Sequence, residues 1–545
     1  MMVPFKRQLG AESGVQLNPL RDNSELPGGN NSDQIYAIAM RATRGRIDKA
    51  FTVNAGNVKQ KLGKGESVRS NELNEAWVQV VESLSKGAYA AVVSRLHTPA
   101  AKISWMVVKE KAPADGTYEY SVVAEEPEAP FLFAIKHLGC FNDGIKVEFH
   151  ASENRVGGVN APNDMVTLRL VDADGIKVLE YTGSLVAGAL DDSGSSKYLP
   201  DVIDAYTDEL EVLVGATDEI AVDSVAYGYD DAGRAKWASS DVLDYFSEGT
   251  TVYDASDCAR AAKQLKQTPH EYGYIVSGGS KAEHLFAALA NLMHETNTQF
   301  RYDVPGTLTP EEAVAFVEQK GINANVSAHL AHGFWAPLRA TDPSGINPKY
   351  HFGTAALNVA KACARNAQVN AKGFAPKNYP IAGRDWPVDR TGVIQTYTPD
   401  DAELDLLARA KINPVIYETY TGGGRYVWLD SLTSAPVDNS LKKLIAVVDM
   451  STAIDTAVTR FAKDALQKPM KIAVKRTSDF LLALFEGAEA SDWIVPSDDP
   501  AMGGASFQFE VVPNEARPYE LMDIRYWLRY DGTNRQTHVT QTLSR

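Results

Sequence analysis

The chain has 545 residues, 44% of them hydrophobic and 23% charged, and a formal charge of −16. Such a length exceeds one ordinary core and implies three or four units of roughly 100–200 residues each, while the composition matches soluble globular domains and excludes a disordered or membrane-resident chain. The acidic balance disfavours general binding of a phosphate backbone, an affinity that draws on Lys and Arg, so nucleic acid is not expected among the partners.

No stretch reaches the roughly 18–20 uninterrupted apolar residues of a membrane span. Met1–Arg7 carries a basic pair without the apolar run or the small-residue cleavage site of a secretory signal. Synthesis and residence in a cytoplasm, without direct membrane insertion, are the expectation. Cys140, Cys258 and Cys363 are odd in number and far apart, which argues for reduced, buried thiols rather than a disulfide framework or a Cys-based zinc site. Between Asp191 and Asp257 many carboxylates face few bases; a solvated outer face is expected there, with a cation site as the alternative.

In chain order, residues 1–33 are polar and broken by Pro and Gly, and read as an arm in which Val15, Leu17 and Leu20 are apolar enough to dock on something. Ile35–Met40 is apolar on both alternating faces, as in a strand covered on both sides. Leu73, Ala76, Trp77, Val80, Val81 and Leu84 recur at helical spacing before Gly87, and Ala88–Val93 is a second strand. Strand, helix, strand is the unit of a parallel sheet. From about Lys109 to Gly249 the pattern turns to alternating strands, Lys146–Phe149, Met165–Val171 and Leu210–Val214 among them. The α/β texture returns with the strand Tyr272–Val276 and the helix His284–Met293. Beyond Pro436 two amphipathic helices are predicted, Leu441–Leu466 and Ser478–Glu486, followed by strands at Phe507–Val511 and Leu521–Leu528.

No residue set argues for catalysis, a cofactor or a metal. Ser277-Gly278-Gly279-Ser280-Lys281 follows a predicted strand but lacks the spacing of a nucleotide P-loop, and a strand-to-helix turn explains it. His294-Glu295 lacks the second histidine of a zinc helix, and His329 and His332 suit a core. Gly422–Gly424 fits a hairpin turn.

The last residues, Thr533–Arg545, include Thr537, Val539, Thr540 and Leu543, which favour strands, yet the segment is too sparse in apolar groups to fold alone. A strand-prone end can join a neighbour's open sheet edge, and head-to-tail repetition of such a contact gives a helical lattice. Val15, Leu17, Leu20, Thr537, Val539, Thr540 and Leu543 are therefore the candidate inter-subunit arm contacts.

Three segments in order, Lys372-Gly373-Phe374-Ala375-Pro376-Lys377-Asn378-Tyr379-Pro380-Ile381-Ala382-Gly383, Asp401–Asn413 and Gly422-Gly423-Gly424-Arg425-Tyr426-Val427-Trp428, resemble the tail sheath family of contractile phages and related injection machines. Pro513–Glu520 resembles the segment before the family's last strand. Leu429-Asp430-Ser431-Leu432 departs from the family's usual small residue, Arg and Thr-Leu after the Trp.

The resemblance implies an α/β plus α+β multidomain chain: an N-terminal arm (1–33), an α/β core in two parts (34–108 and 251–435), a β-rich outward-facing insertion (109–250), an α+β C-terminal inner domain (436–530) and a C-terminal arm (531–545). It implies a non-enzymatic subunit that polymerises with itself around a tail tube, meets baseplate and tail terminator proteins, and resides in the virion after assembly in the host cytoplasm. Contraction of the polymer would drive the tube through the host envelope. Another virion component, whether tube, baseplate or capsid, and an α/β enzyme are the alternative readings.

Overall fold

The computed structural model describes residues 31–112, 117–152, 155–156, 159–160, 162–215, 221–279 and 283–542. It is mixed α/β with several sheets. Among the described residues the largest sheet has eight strands. Ile35–Met40 (β1) lies at its centre, between Ala90–Arg95 (β3) and Tyr274–Val276 (β4), parallel to both. Phe51–Val53 (β2) closes one edge antiparallel to β3. On the other side Gln299–Val304 (β5), Ala331–Trp335 (β6) and Ile412–Tyr420 (β7) continue in parallel. Gly423–Trp428 (β8) folds back on β7 through a turn in which Gly422 and Gly423 have φ of 100° and 118°.

Both faces of this sheet are covered, which is why its strands are apolar on alternate and intervening positions alike. Tyr36, Ile38, Tyr274 and Val276 meet Glu75–Lys86 (α1), while Ala37, Ala39, Ile275 and Phe300 meet Ala255–Gln267 (α2) and Glu283–Thr296 (α3). Pro310–Lys320 (α4) lies on the α2 and α3 face and Ala355–Asn366 (α5) on the α1 face. Leu407 of Asp401–Arg409 (α6) joins the second of these cores. The order of the parallel strands reverses direction between β1 and β4, as in doubly wound folds.

Between β3 and α2 the chain builds two four-stranded sheets that enclose one core, where Phe133 and Phe149 meet edge-on at 5.0 Å. The strand Trp105–Ala112 belongs to this sandwich, so the sandwich takes up residues ahead of 109. Four arginines join it to the parallel sheet. Arg41 reaches Glu248, Arg44 reaches Asp143 and Asp172, Arg46 reaches Asp208, and Arg95 donates to the Cys140 carbonyl and to Asn142. All four are buried. The acids of 191–257 are thereby divided: Asp208 and Glu248 hold the sandwich, Asp257 is buried in a capping box with Asp254, and Asp192, Asp204 and Asp231 are exposed. Cys140, Cys258 and Cys363 are buried and unpaired.

The C-terminal unit pairs Ile445–Ala465 (α7) with Met470–Glu489 (α8) and packs a hairpin of Phe507–Pro513 (β9) and Met522–Leu528 (β10) on them. The second helix starts eight residues before the expected Ser478. Its buried residues Ala473, Thr477, Leu481 and Phe485 recur every fourth position from just after Pro469, which is tolerated at a helix start. No helix among the described residues is long and apolar enough to cross a membrane.

One carboxylate fastens this unit to the sheet. Asp449 of α7, 1% exposed, receives Arg365 of α5 at 2.7 Å and Arg301 of β5 at 3.4 Å. Burial opposes ionisation of Asp449, and the two guanidiniums overcome it, holding the carboxyl down at about 2. Replacing Asp449 by Ala strands two buried cations and should cost about 3–5 kcal/mol. Chemical denaturation checks this, with Asp405→Ala, whose pair with Arg409 is exposed, changing stability by no more than about 0.5 kcal/mol.

Candidate subunit interface

In the hairpin, Phe507, Phe509, Val511 and Pro513 stand opposite Leu528, Tyr526, Ile524 and Met522. These eight share one face, turned toward α7 and α8, yet of their apolar side chains Val511 alone is buried, Pro513 is exposed and the others remain half-buried. The opposite face pairs Gln508 with Trp527, Glu510 with Arg525 and Val512 with Asp523, and Trp527 is 50% exposed. The sheet is two-stranded among the described residues. A lone pair of strands is marginal in water, and each outer edge offers unpaired N–H and C=O groups to another chain. Among the described residues only the end near Arg529 is covered, where the Val495 N–H donates to the Arg529 carbonyl and the Asp531 N–H to that of Trp493.

Both terminal segments are rooted near this unit. Asp33 pairs with Lys377 at 3.0 Å and its carbonyl accepts from Asn366, while Arg460 of α7 donates to Ser32. At the other end Arg535 makes a two-pronged contact with Asp430. Beyond it, Gln536–Thr542 has no secondary structure and is exposed. Thr537, Val539 and Thr540 lie there, with Val539 at 89% exposure. Val15, Leu17, Leu20 and Leu543 lie outside the described residues. The loop Lys372–Gly383 spans from core to C-terminal unit: Phe374 meets Trp493 edge-on at 4.8 Å, the Trp493 indole donates to the Ala375 carbonyl, and Arg365 donates to the Tyr379 carbonyl.

A second surface lies at the turn between α7 and α8. Residues 463–476 hold Lys463, Lys468, Lys471, Lys475 and Arg476 against the single acid Asp464. No ion pair ties these five cations among the described residues, and the exposed Leu466 and Ile472 lie among them. In a chain of charge −16 this is a local reversal of sign suited to an acidic partner.

At the far end of the sheet, the crevice where the strand order reverses is the place at which doubly wound proteins take ligands. Here it is lined by Met40, Arg41, Leu73, Ala76, Gly278 and Phe286 and holds about 20 Å³, roughly one water. Gly278 and Gly279 have φ of 69° and 116°, and a Cβ on Gly278 would come 2.9 Å from that of Ala76. Ser280 and Lys281 lie outside the described residues. Beside the crevice, Glu75 and Asp303 are both buried. The Gln79 amide donates to each at 2.9 Å, and the backbone N–H groups of Gly353 and Ala355 donate one to each. Arg390, engaged by Glu82, is the nearby cation. His332, wholly buried, contacts the His329 carbonyl, and burial pushes its pKa down to about 3; His294 bonds Ser327.

Sequence reasoning passed over Asp449, Arg301 and Asp303. The signal was present: each is a charge inside an apolar helix or strand, Ile445–Met450 or Gln299–Val304, where a solvated face is impossible. It likewise passed over Arg41, Arg44 and Arg46 as charges to be paired.

No protein-family model matches the chain, and no curated protein matches it. Among solved structures the chain is similar to a chain of the six-fold symmetrised anti-feeding prophage baseplate, at 11% identity and a TM-score of 0.37 over 55% of this chain and 76% of that one. It is also similar to a chain of the PVC sheath complex of an extracellular contractile injection system in its contracted state. There the identity is 13% and the TM-score 0.38 over 53% of this chain and 80% of that one.

Burial and the neighbouring Asp303 charge raise the Glu75 carboxyl from its usual 4.5 to about 7. The stability that protonated Glu75 contributes is therefore complete below about pH 4.5 and is lost as pH rises through about 7. Glu75→Gln keeps an uncharged acceptor there. Its stability relative to the parent should rise by on the order of 2 kcal/mol between about pH 5 and about pH 8, measured by denaturation at each pH.

Proposed function

We propose that the chain is the structural subunit of a contractile tail sheath, which polymerises helically around a tail tube and shortens to drive it through the host envelope. The observation that carries this reading is the β9–β10 hairpin: a sheet with two open edges and a half-covered apolar face, in a chain that also carries an exposed, strand-prone segment at Gln536–Thr542. A neighbour's segment added to an edge would complete the backbone hydrogen bonds and cover the apolar face. Because donor and acceptor surfaces differ, the contact is heterologous and does not close on a dimer. The resemblance at Lys372–Trp428 gives that polymer its identity as a sheath.

The same reading assigns the cations of 463–476 to the tube, whose facing surface would be acidic. Sheet, sandwich and C-terminal unit, fixed to one another through buried ion pairs, would move as one body. The segments beyond Asp33 and Asp531 would act as hinges that keep neighbours linked. Free energy stored in the extended lattice, rather than nucleotide hydrolysis, would drive the motion.

Removal of Thr533–Arg545 tests the lattice contact. The shortened chain should keep the parent's cooperative melt and form no polymer by negative-stain microscopy, where the parent forms hollow striated cylinders. Normal cylinders from the shortened chain would refute the role of this segment, and closed rings or persistent monomers from the parent would refute the sheath. For the tube contact, joint replacement of Lys471, Lys475 and Arg476 by Glu should leave self-polymerisation intact. It should weaken co-sedimentation with tubes at least tenfold at low salt, an effect that shrinks as salt rises.

A further inference from the structure

A groove of about 390 Å³ opens between the loop that follows α5 and the residues that follow α8. Val369, Phe374, Pro376 and Tyr379 line it with Ser491 and Asp492. Its two walls are tied to each other: the Asn370 amide donates to the Ser491 hydroxyl at 2.9 Å and the Asn378 amide to the Asp492 carbonyl at 3.3 Å. The lining mixes apolar and polar groups, and two of its large side chains stand open, Val369 at 60% and Tyr379 at 63% exposure. The backbone N–H and C=O of Val369 make no hydrogen bond among the described residues. A preformed groove with open apolar side chains and a free main-chain donor and acceptor suits an extended peptide, whose backbone and alternate side chains bind together.

The chain supplies such a peptide from close by. Asp33 is held at the groove, because its partner Lys377 sits between the lining residues Pro376 and Asn378, and its carbonyl accepts from Asn366 just ahead of the loop. Thirteen positions separate Leu20 from Asp33, a tether of at most roughly 45 Å. Gly14 and Pro19 bracket Val15 and Leu17 and disfavour a helix there, and in an extended segment those two side chains share one side. The groove exceeds twice the roughly 150 Å³ that accepts a benzene ring, room for two or three aliphatic side chains. A tether this short keeps the segment at an effective concentration on the order of millimolar, far above that of any second copy in a dilute solution.

We propose that the groove is occupied by residues 15–20 of the same chain, with Val15, Leu17 and Leu20 against Val369, Phe374 and Tyr379. Docked there, the segment is withheld from neighbouring subunits until one competes for it, a consequence that rests on the reading of the chain as a polymer subunit. The free subunit would then carry its own brake on assembly.

The test uses the full chain carrying Leu17→Cys and Val369→Cys, prepared with and without ¹⁵N, mixed in equal parts, diluted and oxidised with copper phenanthroline. The three native cysteines are buried. Mass spectrometry of the linked peptides should find both halves of each link from one chain. Links should form at least tenfold faster than in a Leu17→Cys, Thr459→Cys chain, whose second cysteine is exposed beside Arg460, the residue that bonds Ser32, and lies outside the groove. Equal rates in the two chains would overturn the docking, and links of mixed isotope would place a second copy in the groove and overturn the same-chain assignment. The linked chain should form no cylinders until dithiothreitol opens the link. Cylinders formed by the linked chain as readily as by the parent would overturn the brake, whereas a parent that forms none refutes the sheath and leaves the docking result standing.

Discussion

The pairing of Asp449 with Arg301 and Arg365 is the constraint on which the arrangement of this molecule depends. Each partner comes from a different element: the long helix of the C-terminal unit, a central strand of the parallel sheet, and the helix covering that strand. None has access to water, so each would be left as an uncompensated buried charge if the others were lost. Asn358 steadies Arg301, and Asn366 steadies Arg365 while also reaching the Tyr274 hydroxyl and the Asp33 carbonyl. The root of the N-terminal segment is therefore part of the same polar network. A pull on that segment is delivered to the centre of the sheet rather than to a surface loop.

The other end of the sheet is polar in a different way. Glu75 and Asp303 share the Gln79 amide and each takes a backbone donor, while Arg390, the nearby cation, is engaged by Glu82. At one site charge is balanced by opposite charge; at the other, burial raises the pKa of both carboxyls. The crevice that a doubly wound sheet leaves at its strand-order reversal is narrowed here by side chains of the same neighbourhood, Arg41 among them.

Much of the fold was legible from periodicity. β1, α1, β3, α3 and both strands of the terminal hairpin fall within a few residues of where their apolar patterns put them, because each is long or regular enough to outweigh local propensity. The helices α2 and α4 went unread although each begins with a capping box, Asp254 with Asp257 and Thr309 with Glu312, while α6, capped by Asp400 with Glu403, was expected through the resemblance alone. What could not be read is what depends on distance in the chain. Asp449 meets Arg301 across 148 positions and Arg44 meets Asp172 across 128, and no local rule pairs them. The open face of the hairpin was similarly hidden, since alternation predicts a strand but not how many neighbours it has. The candidate interface residues were chosen by propensity alone, and only Thr537, Val539 and Thr540 fall where their exposure can be described.

The sandwich enters and leaves the parallel sheet at a single point: Lys102–Ile103 and Phe246–Ser247 lie side by side as antiparallel neighbours. A segment whose two ends meet can be exchanged or lost in evolution without stretching the chain around it, and another domain could be grafted at the same place. The four arginines set the terms of such an exchange. Arg44 would lose both of its carboxylates, Asp143 and Asp172, with the sandwich, whereas Arg41 would keep Glu66, Arg46 would keep Asp48 and Arg95 the Gly45 carbonyl. Relatives lacking the sandwich should accordingly differ first at the position of Arg44.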